Sequence, residues 1–436
     1  MNNSFGGGIR PPEHKHITAD KPAVTIKAPE KVVIPLIQHI GEICTPLVKA
    51  GDRVLLGQKI GDVNGLGAPI HASVSGIVKA LEERPHQNGS DVLSVVIEND
   101  MLDMPQKKQG ISDRARNLTA DELIRIVREA GIVGMGGAAF PTDKKLISGL
   151  GAVDTVIANA CECEPYVTCD DALLRSFPEQ VTGGLGTVAR ILSPKRIVIA
   201  IEDNKPQAID AIKHQAKNCK GIEVVVLNSR YPQGAEKQLI KAVTGREVPS
   251  GKLPKDAGCL VLNAATCAAI YKAVHNGEPV IDRMVSVTGD AIKAPANYIV
   301  RIGTSFQHLI ECAGGVIDAS LIIAGGPMMG VTVSDVNVSV MKGTNSVLCL
   351  KSTPEIPENP ICIRCGRCVE ACPVNLMPLM LNRAVLENSV RQMRTYNLMD
   401  CIGCGCCVYV CPGKIPLVQR FRRGKSVLKE KADSEA

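Results

Sequence analysis

The chain has 436 residues, long enough for about three or more domains with cores of their own. Its formal charge of +6 is mild, and with no tryptophan and five phenylalanines it offers little aromatic surface for stacking bases, so nucleic-acid binding is not expected. No apolar run approaches the roughly 18 residues of a membrane span, and the first residues resemble no signal peptide. We therefore expect a soluble chain in a reducing compartment, with membrane association only through partners.

The N-terminal part predicts a β module. Residues 29–98 form short apolar runs separated by glycine turns, and the phrases GDRVLLGQ and SVSGIV resemble the barrel-sandwich hybrid of biotinyl and lipoyl carrier domains. Those carriers present a modified lysine between the two phrases, whereas residues 61–76 contain no lysine. We therefore predict a structural barrel-sandwich hybrid module over residues 1–100.

A polar linker is predicted over residues 103–117, followed by a helix over 119–130. Thr119 and Glu122 form a capping box ahead of the apolar positions of that helix. The glycine-rich segment GIVGMGGAAFPTDKK then runs over residues 131–145. Free backbone amides entering a helix, with Lys145 close behind, favour binding of a phosphate.

Strands and helices alternate over the next hundred residues. Strands are predicted over 155–160, 196–201 and 222–227, with a helix over 206–218, and this alternation indicates a Rossmann-like α/β domain spanning residues 115–280. The segments CECEPY, YPQGAEK and VLNAATCAAI follow or include strand ends. Because open α/β sheets bind ligands at the carboxyl ends of their strands, we expect these segments and the glycine-rich loop to meet at one pocket.

The segment over residues 281–335 predicts a small β-grasp module of the SLBB kind, built from two strands and a helix over 305–312. Further on, residues 378–396 have helical spacing and are expected to separate two cysteine motifs. The tail over residues 416–436 is basic. Two interpretations of it remain open: a solvated chain end, or a surface that docks on a partner or an anionic membrane.

The two cysteine motifs predict a helical, ferredoxin-like domain over residues 355–415. CIRCGRCVEACP and CIGCGCCVYVCP share the C-x2-C-x2-C-x3-C-P spacing that holds a [4Fe-4S] cluster, in which the fourth cysteine ligates the other cluster. Structural zinc or disulfides fit this spacing and compartment poorly. One predicted ligand set is Cys362, Cys365, Cys368 and Cys411, and the other is Cys401, Cys404, Cys407 and Cys372. Cys406 falls outside the pattern and is expected to be a small buried residue.

Taken in order, these segments resemble one family, the C subunit of the Rnf electron-transport complex. GGGIRPPEHK, VVIPLIQHIG, GMGGAAFPTDKKL, NACECEPY, the β-grasp segment and both cysteine motifs carry the resemblance over about residues 5–412. The central part also resembles the subunit of respiratory complex I that binds FMN and NADH. The resemblance implies a multidomain α/β plus β fold with noncovalent FMN, two [4Fe-4S] clusters and NAD(H) as substrate.

The resemblance also implies roles for individual residues, at the positions where this sequence matches the motifs of the family. It implies that the glycine loop and Lys145 hold the FMN phosphate and ribityl chain, that Phe140 lies near the dinucleotide, and that Glu164 and Glu236 serve as catalytic residues on the nicotinamide side. Cys161, Ala235 and Ser148 depart from the complex I pattern, and Cys161, Cys163 and Cys169 are not expected to ligate a cluster. The remaining implied residues of the cofactor pocket are Gly134, Gly136, Gly137, Asn159, Glu162, Tyr231, Gly234, Asn263 and Thr266.

The family resemblance implies an electron-transfer subunit between ferredoxin and NAD(H). Membrane partners would couple the flow to Na+ or H+ translocation, and this chain would lie peripherally on the cytoplasmic face, reaching ferredoxin indirectly through other Rnf-type subunits. Two alternatives remain at this point. One is a soluble NADH-dependent reductase of the same architecture, such as a cobalamin reductase or the electron carrier of proline reductase. The other is a non-enzymatic cluster relay with an empty α/β domain.

Overall fold

The structure is a computed structural model that describes residues 4–106, 117–219, 221–353 and 357–435, with side chains to residue 431. Most of the linker predicted over 103–117 lies outside these ranges, as do residues 355 and 356 of the predicted cluster domain and residue 436 of the tail. Among the described residues, no helix combines the length and the apolar character that crossing a membrane requires.

The N-terminal module is a sandwich of two antiparallel sheets. The first strand of the chain, β1 (Val24–Thr25), belongs to a different sheet described below. The strands of this module are β2 (Lys31–Pro35), β3 (Thr45–Pro46), β4 (Arg53–Val54), β5 (Lys59–Asp62), β6 (Ile70–His71), β7 (Gly76–Pro85) and β8 (Asp91–Asn99). One sheet has the order β2-β8-β7-β4 and the other β3-β5-β6. Val32, Ile34, Ile60 and Ile97 are fully buried between them, because alternate residues of a strand point to the same face.

The central domain is a four-stranded parallel sheet with helices on its faces. The elements are α1 (Ala120–Glu129), α2 (Thr142–Gly149), β9 (Thr155–Ala160), α3 (Cys169–Ser176), α4 (Pro178–Leu192), β10 (Arg196–Glu202), α5 (Pro206–Ala216), β11 (Ile222–Leu227), α6 (Glu236–Thr244), β12 (Cys259–Asn263) and α7 (Ala264–Tyr271). The predicted strands and the Thr119–Glu122 capping box are confirmed. The order β11-β10-β9-β12 places the reversal of strand order in the sheet between β9 and β12, where ligands bind in such folds.

The predicted β-grasp elements are present within a larger sheet. They are β13 (Asp282–Thr288), β14 (Ala296–Arg301), α8 (Phe306–Cys312), β15 (Leu321–Ala324), β16 (Val331–Thr332) and β17 (Ser346–Leu350). The strand order is β1-β14-β13-β17-β15-β16, so the sheet includes β1 from the N-terminal part and β17 from beyond residue 335. The division of the chain into separate domains therefore stays a prediction, since this sheet takes strands from distant segments.

The cysteine-rich domain is helical. Its elements are α9 (Arg367–Glu370), α10 (Pro378–Leu386), α11 (Val390–Thr395), α12 (Cys406–Tyr409) and α13 (Leu417–Glu435). The helical segment predicted over 378–396 is two helices, because Asn388 takes a left-handed conformation and Ser389 caps the second helix. The basic tail is not simply a solvated end: α13 buries Leu417, Phe421 and Leu428 against α10 and α11.

The contact between α4 and α7 depends on a glycine. A Cβ added at Gly184 would lie 1.7 Å from the carbonyl oxygen of Cys267, whereas one added at Gly186 in the same helix would meet nothing within 4 Å. We predict that Gly184→Ala lowers stability by about 1–3 kcal/mol through forced separation of the helices. Gly186→Ala should raise stability by roughly 0.5–1 kcal/mol through helix propensity alone. Thermal unfolding of both variants measures this, and equal melting temperatures would contradict the close contact.

Candidate functional site

The candidate site lies at the carboxyl ends of two neighbouring strands of the parallel sheet, β9 and β12. Asn159 near the end of β9 lies beside Asn263 at the end of β12, where the two residues are direct register partners. The Asn263 side chain caps α7 by accepting from the amide of Ala265 at 2.9 Å. A Cβ added at Gly136 would lie 3.4 Å from Cβ of Asn263, so the glycine-rich loop lies directly against this edge. The structure thus brings together the strand ends and the loop that the sequence predicts to converge.

The glycine-rich loop presents unused backbone donors. The amide of Met135 donates to Thr266 Oγ1 at 2.9 Å, and that of Gly134 donates to the carbonyl of Phe140 at 2.8 Å, which closes the loop on itself. Among the described residues, the amides of Gly136 and Gly137 have no hydrogen-bond partner, and both glycines are exposed. Such a set of free amides ahead of a helix suits an anionic phosphate.

A cation completes this donor set. Lys145 lies on α2 just after the loop, and its Nζ is 2.7 Å from Oε1 of Glu236 at the start of α6. The two side chains are 29% and 38% exposed, so both remain reachable by a ligand. Free amides, an ammonium group and an adjacent carboxylate fit the phosphate and polar chain of a flavin mononucleotide, and Phe140, 36% exposed, belongs to the same loop.

Two buried basic side chains from outside the α/β domain donate hydrogen bonds to backbone carbonyls of the glycine-rich loop. Arg283, on β13, donates from Nη2 to the carbonyl of Met135 at 2.7 Å and from Nη1 to the carbonyl of Lys342. The Nζ of Lys342 donates in turn to Gly131 O at 2.7 Å and to Pro69 O at 2.6 Å. Burial lowers the pKa of Lys342 to about 7. Residues of the β-grasp and barrel-sandwich parts therefore help to shape the glycine-rich loop.

The Glu162 carboxylate is engaged within the protein. It accepts from the amide of Asp170 at 2.8 Å and from that of Asp171 at 3.2 Å, and so it caps α3. Asp170 in turn accepts from Nδ2 of Asn263 at 2.6 Å. Burial, followed by the negative charge of Glu162, raises the pKa of Asp170 to about 7. Ligand atoms of Glu162, Cys169 and Asp170 lie within 4.8 Å of one another, and the capping of α3 accounts for that grouping.

Glu164 points toward the β-grasp sheet. Its Oε1 accepts from the amide of Met329 at 2.9 Å and its Oε2 from the amide of Met328 at 3.0 Å. Burial raises the pKa of Glu164 to about 7, against the opposing effect of these two amide bonds and of Lys15. A role for Glu164 on the nicotinamide side stays a prediction, as do the roles of the other site residues.

Tyr231 joins the sheet edge to a cysteine loop. Its buried hydroxyl donates to the carbonyl of Cys404 at 2.7 Å. The neighbouring Gly234 lies against β9: Asn159 Nδ2 donates to its carbonyl at 2.8 Å, and an added Cβ would lie 2.3 Å from the carbonyl oxygen of Cys161. Only glycine allows this approach, so the loop from Tyr231 to Gly234 is fixed on both the strand and the cysteine loop.

The cysteines gather around two recesses. The inner recess, beside Tyr231, is lined by Cys372, Cys401, Cys404, Cys406 and Cys407. The outer recess is lined by Cys362, Cys365, Cys368 and Cys411. Cys411 of the second motif thus lines the outer recess with cysteines of the first, and Cys372 of the first motif lines the inner recess with cysteines of the second. Two such sets of thiols fit two cubane clusters, and which of them ligate each cluster stays a prediction. Cys406 also lines the inner recess, so its exclusion as a ligand stays a prediction.

The two recesses differ in exposure. Cys404 and Cys407 of the inner one are buried, whereas Cys362 and Cys365 of the outer one are exposed. Close to the outer recess, Ile361 and Ile363 are 73% and 67% exposed. Two cysteines of the outer recess are therefore more exposed than any cysteine of the inner one.

No motif in the sequence predicted the contacts of Arg283, Lys342 and Asp170, or those that the amides of Met328 and Met329 make with Glu164. The position of Arg283 within the apolar pattern of β13 could have indicated a buried contact, because a charged residue is buried in such a strand only when it has partners. For Met328 and Met329 no signal existed, because their amides rather than their side chains make the contact.

Family models match successive parts of the chain. The RnfC barrel sandwich hybrid domain matches residues 3–102, the Nuo51 FMN-binding domain 127–272, the SLBB domain 284–332 and the 4Fe-4S dicluster domain 361–415. The predicted fold class is confirmed, and the chain carries domain types for FMN and for two iron–sulfur clusters.

Relatives match along nearly the whole chain. The C subunit of a Na+-translocating ferredoxin:NAD+ oxidoreductase complex from Acetobacterium woodii is 47% identical, covering 97% of each chain. The C subunit of a proton-translocating ferredoxin:NAD+ oxidoreductase complex from Clostridium ljungdahlii is 44% identical over 98% of this chain and 94% of that relative. The C subunit of an ion-translocating oxidoreductase complex from Serratia proteamaculans is 43% identical over 98% of this chain, which spans 61% of that longer relative.

Solved structures share the fold at lower identity. An NAD+-reducing [NiFe]-hydrogenase in its air-oxidised state has a TM-score of 0.51 at 18% identity, covering 72% of this chain and 63% of that chain. In its H2-reduced state the TM-score is 0.50 at 17% identity, covering 72% and 64%. The matches along nearly the whole sequence confirm the resemblance seen in the motifs. This chain belongs to the family of C subunits of the Rnf ion-translocating oxidoreductase complexes.

Proposed function

We propose that this chain is the NAD(H)-oxidoreductase subunit of its complex and passes electrons between NAD(H) and partner subunits. The observation that carries the proposal is the hydrogen bond from Tyr231 to Cys404, which joins the candidate dinucleotide edge of the sheet to the inner cysteine recess. When bound, FMN supplies the exchange between hydride and single-electron transfer, and the clusters supply one-electron transfer.

The residues at the sheet edge have distinct roles in this proposal. The amides of Gly136 and Gly137 and the ammonium of Lys145 bind the flavin phosphate. Glu236 holds the Lys145 ammonium in place at 2.7 Å and faces the nicotinamide side, together with Glu164. Phe140 flanks the dinucleotide. The residues that shape the rest of the pocket are Gly134, Asn159, Glu162, Tyr231, Gly234, Asn263 and Thr266.

The cluster sites act in sequence. The inner set of Cys372, Cys401, Cys404 and Cys407 lies next to Tyr231, so it exchanges electrons with the flavin side. The outer set of Cys362, Cys365, Cys368 and Cys411 includes two exposed cysteines, Cys362 and Cys365, so it exchanges electrons with a partner. The exposed Ile361 and Ile363 give that partner an apolar surface to contact.

The other subunits supply what this chain does not. We propose that they carry electrons to or from ferredoxin, embed the complex in the membrane and translocate Na+ or H+, while this chain lies peripherally on the cytoplasmic face. Relatives named for Na+ and for protons are both similar to this chain, at 47% and 44% identity, which supports an ion path formed elsewhere in the complex.

Adjacent cysteines test the cluster assignment. Cys407→Ser should remove the inner cluster, because a serine hydroxyl is a poor substitute for a thiolate. Cys406→Ser should leave both clusters in place and serves as the matched control. Iron content and electron paramagnetic resonance of anaerobically purified protein measure this, with about eight irons expected in the unmodified chain. Loss of a cluster in the Cys406 variant would contradict the assignment.

Removal of one cluster at a time tests the electron order. In a Cys365→Ser variant that has lost the outer cluster, NADH should still reduce the inner one. In the Cys407→Ser variant, NADH should no longer reduce the outer cluster, although dithionite should. Reduction of the outer cluster by NADH without the inner one would reverse the proposed order.

Flavin binding is tested at the glycine loop. Gly136→Val fills space that the close backbone approach requires, and Lys145→Ala removes a charge-assisted contact worth about 1.5–3 kcal/mol, or roughly ten- to a hundredfold in affinity. Both variants should lose FMN and NADH-dependent reduction of an artificial acceptor while keeping cluster absorbance. Full flavin and full rate in Gly136→Val would mean that the pocket lies elsewhere. Absence of flavin from the unmodified protein would favour the cluster relay.

Two arginines of one sheet test whether Arg283 supports the glycine-rich loop. Arg283→Lys loses the forked contact with two carbonyls and should weaken FMN binding to flavin-free protein about tenfold. Arg301→Lys, on neighbouring β14, alters a partly exposed pair with Asp103 and should leave FMN affinity unchanged. Flavin fluorescence titration measures both. Equal affinities would show that Arg283 does not shape the loop.

A further inference from the structure

A loop of the β-grasp sheet lies between the candidate flavin domain and the inner cysteine recess. Residues 325–330, with sequence GGPMMG, connect β15 to β16. On one side, the amides of Met328 and Met329 donate to the two oxygens of Glu164. On the other side, a Cβ added at Gly405 would lie 3.1 Å from the carbonyl oxygen of Met328. The methionine loop, residues 325–330, thus contacts both sites at once.

Glu164 is itself held in place from the opposite direction. Its carbonyl accepts from Nζ of Lys15 at 2.9 Å, and the same ammonium donates to the carbonyls of Glu162 and Val167 at 2.7 and 2.5 Å. The backbone that carries Glu164 is therefore fixed at three points. A carboxylate on such a fixed support can determine the position of whatever it binds.

The methionine loop is shaped to receive this carboxylate. A Cβ added at Gly326 would lie 2.3 Å from Oε2 of Glu164, so any side chain there would displace the carboxylate or the loop. Two successive amides converge on the two oxygens, which is an arrangement that an ionised carboxylate satisfies and an amide side chain does not, since glutamine offers a single acceptor oxygen.

We infer that Glu164 is a positioning residue that anchors the methionine loop between the α/β domain and the inner cluster loop. The inference rests on the proposed function, because it gives the anchored loop the task of fixing the inner cluster against the flavin domain. Cys404 and Gly405 belong to that cluster loop, and Tyr231 contacts it at the first of them. Glu164 and Tyr231 therefore constrain the same loop from two elements of the α/β domain.

The test compares two changes made on opposite sides of the contact. Glu164→Gln removes one acceptor, and Gly326→Ala inserts a methyl group where the carboxylate lies. Both should accelerate amide hydrogen exchange at Met328 and Met329 about tenfold or more in the full chain, because a charge-assisted bond no longer protects them. Both should also shift the electron paramagnetic resonance spectrum of the inner cluster, while FMN content stays within about twofold.

Two control variants separate this role from others. Gly186→Ala makes the same chemical change as Gly326→Ala at a site with open space and should alter neither measurement. Glu236→Gln should slow flavin reduction by NADH without changing exchange at the methionine amides. Unchanged exchange in Glu164→Gln would overturn the inference. Slowed flavin reduction in Glu164→Gln with an unchanged cluster spectrum would overturn it too, in favour of a nicotinamide contact.

The proposed function and the Glu164 contact can fail separately, and different measurements report the two failures. If the unmodified protein binds no flavin, the proposed function fails, whereas amide exchange and the cluster spectrum still report on the Glu164 contact. Retained protection of the methionine amides in both variants would refute the contact even in a protein that binds flavin normally.

Discussion

A buried ammonium group holds the centre of this molecule together. Lys15 comes from the N-terminal segment and donates to three carbonyls of the loop that follows β9, which carries Glu162 and Glu164. Burial lowers the pKa of Lys15, so three hydrogen bonds are what make the buried cation acceptable. The strand end that forms the candidate site thus depends on a residue that comes far earlier in the chain.

The same N-terminal segment also reaches the cysteine-rich domain. The amide of Gly8 donates to the carbonyl of Ala371 at 2.9 Å, and Ile9 and Tyr231 exchange backbone hydrogen bonds. A Cβ added at Gly7 would lie 2.3 Å from the carbonyl oxygen of Cys372, so the segment lies directly against the inner recess. One short stretch therefore contacts both Tyr231 at the sheet edge and Ala371 and Cys372 at the inner recess, and so it links the two proposed redox sites.

Buried cations bonded to carbonyls recur where modules meet. Lys342 and Arg283 support the glycine-rich loop in the way that Lys15 supports the loop after β9. The acceptors in these contacts are backbone carbonyl oxygens, so the hydrogen bonds themselves require no second buried charge, whose desolvation would cost several kcal/mol. The arrangement explains why the barrel-sandwich and β-grasp parts matter for a site that lies on the α/β domain.

Much of this was readable from the sequence, because it depends on residues close together in the chain. The cysteine spacing divided the predicted ligands into the same two sets that line the recesses, although Cys406 lines the inner one as well. The Thr119–Glu122 capping box begins α1, and the strand over 155–160 appears with its predicted ends. The break between α10 and α11 was missed, since Asn388 and Ser389 end one helix and start another within a segment whose apolar spacing is helical.

Only the tertiary structure decided which distant groups meet. The partners of Glu164 lie 164 and 165 residues away, and they are backbone amides, which every non-proline residue carries and no motif can identify. The inner and outer order of the cysteine sets likewise follows from the contact between Tyr231 and Cys404, separated by 173 residues. Local spacing determines local geometry, whereas contacts across such distances depend on how whole modules pack together, which no local spacing pattern predicts.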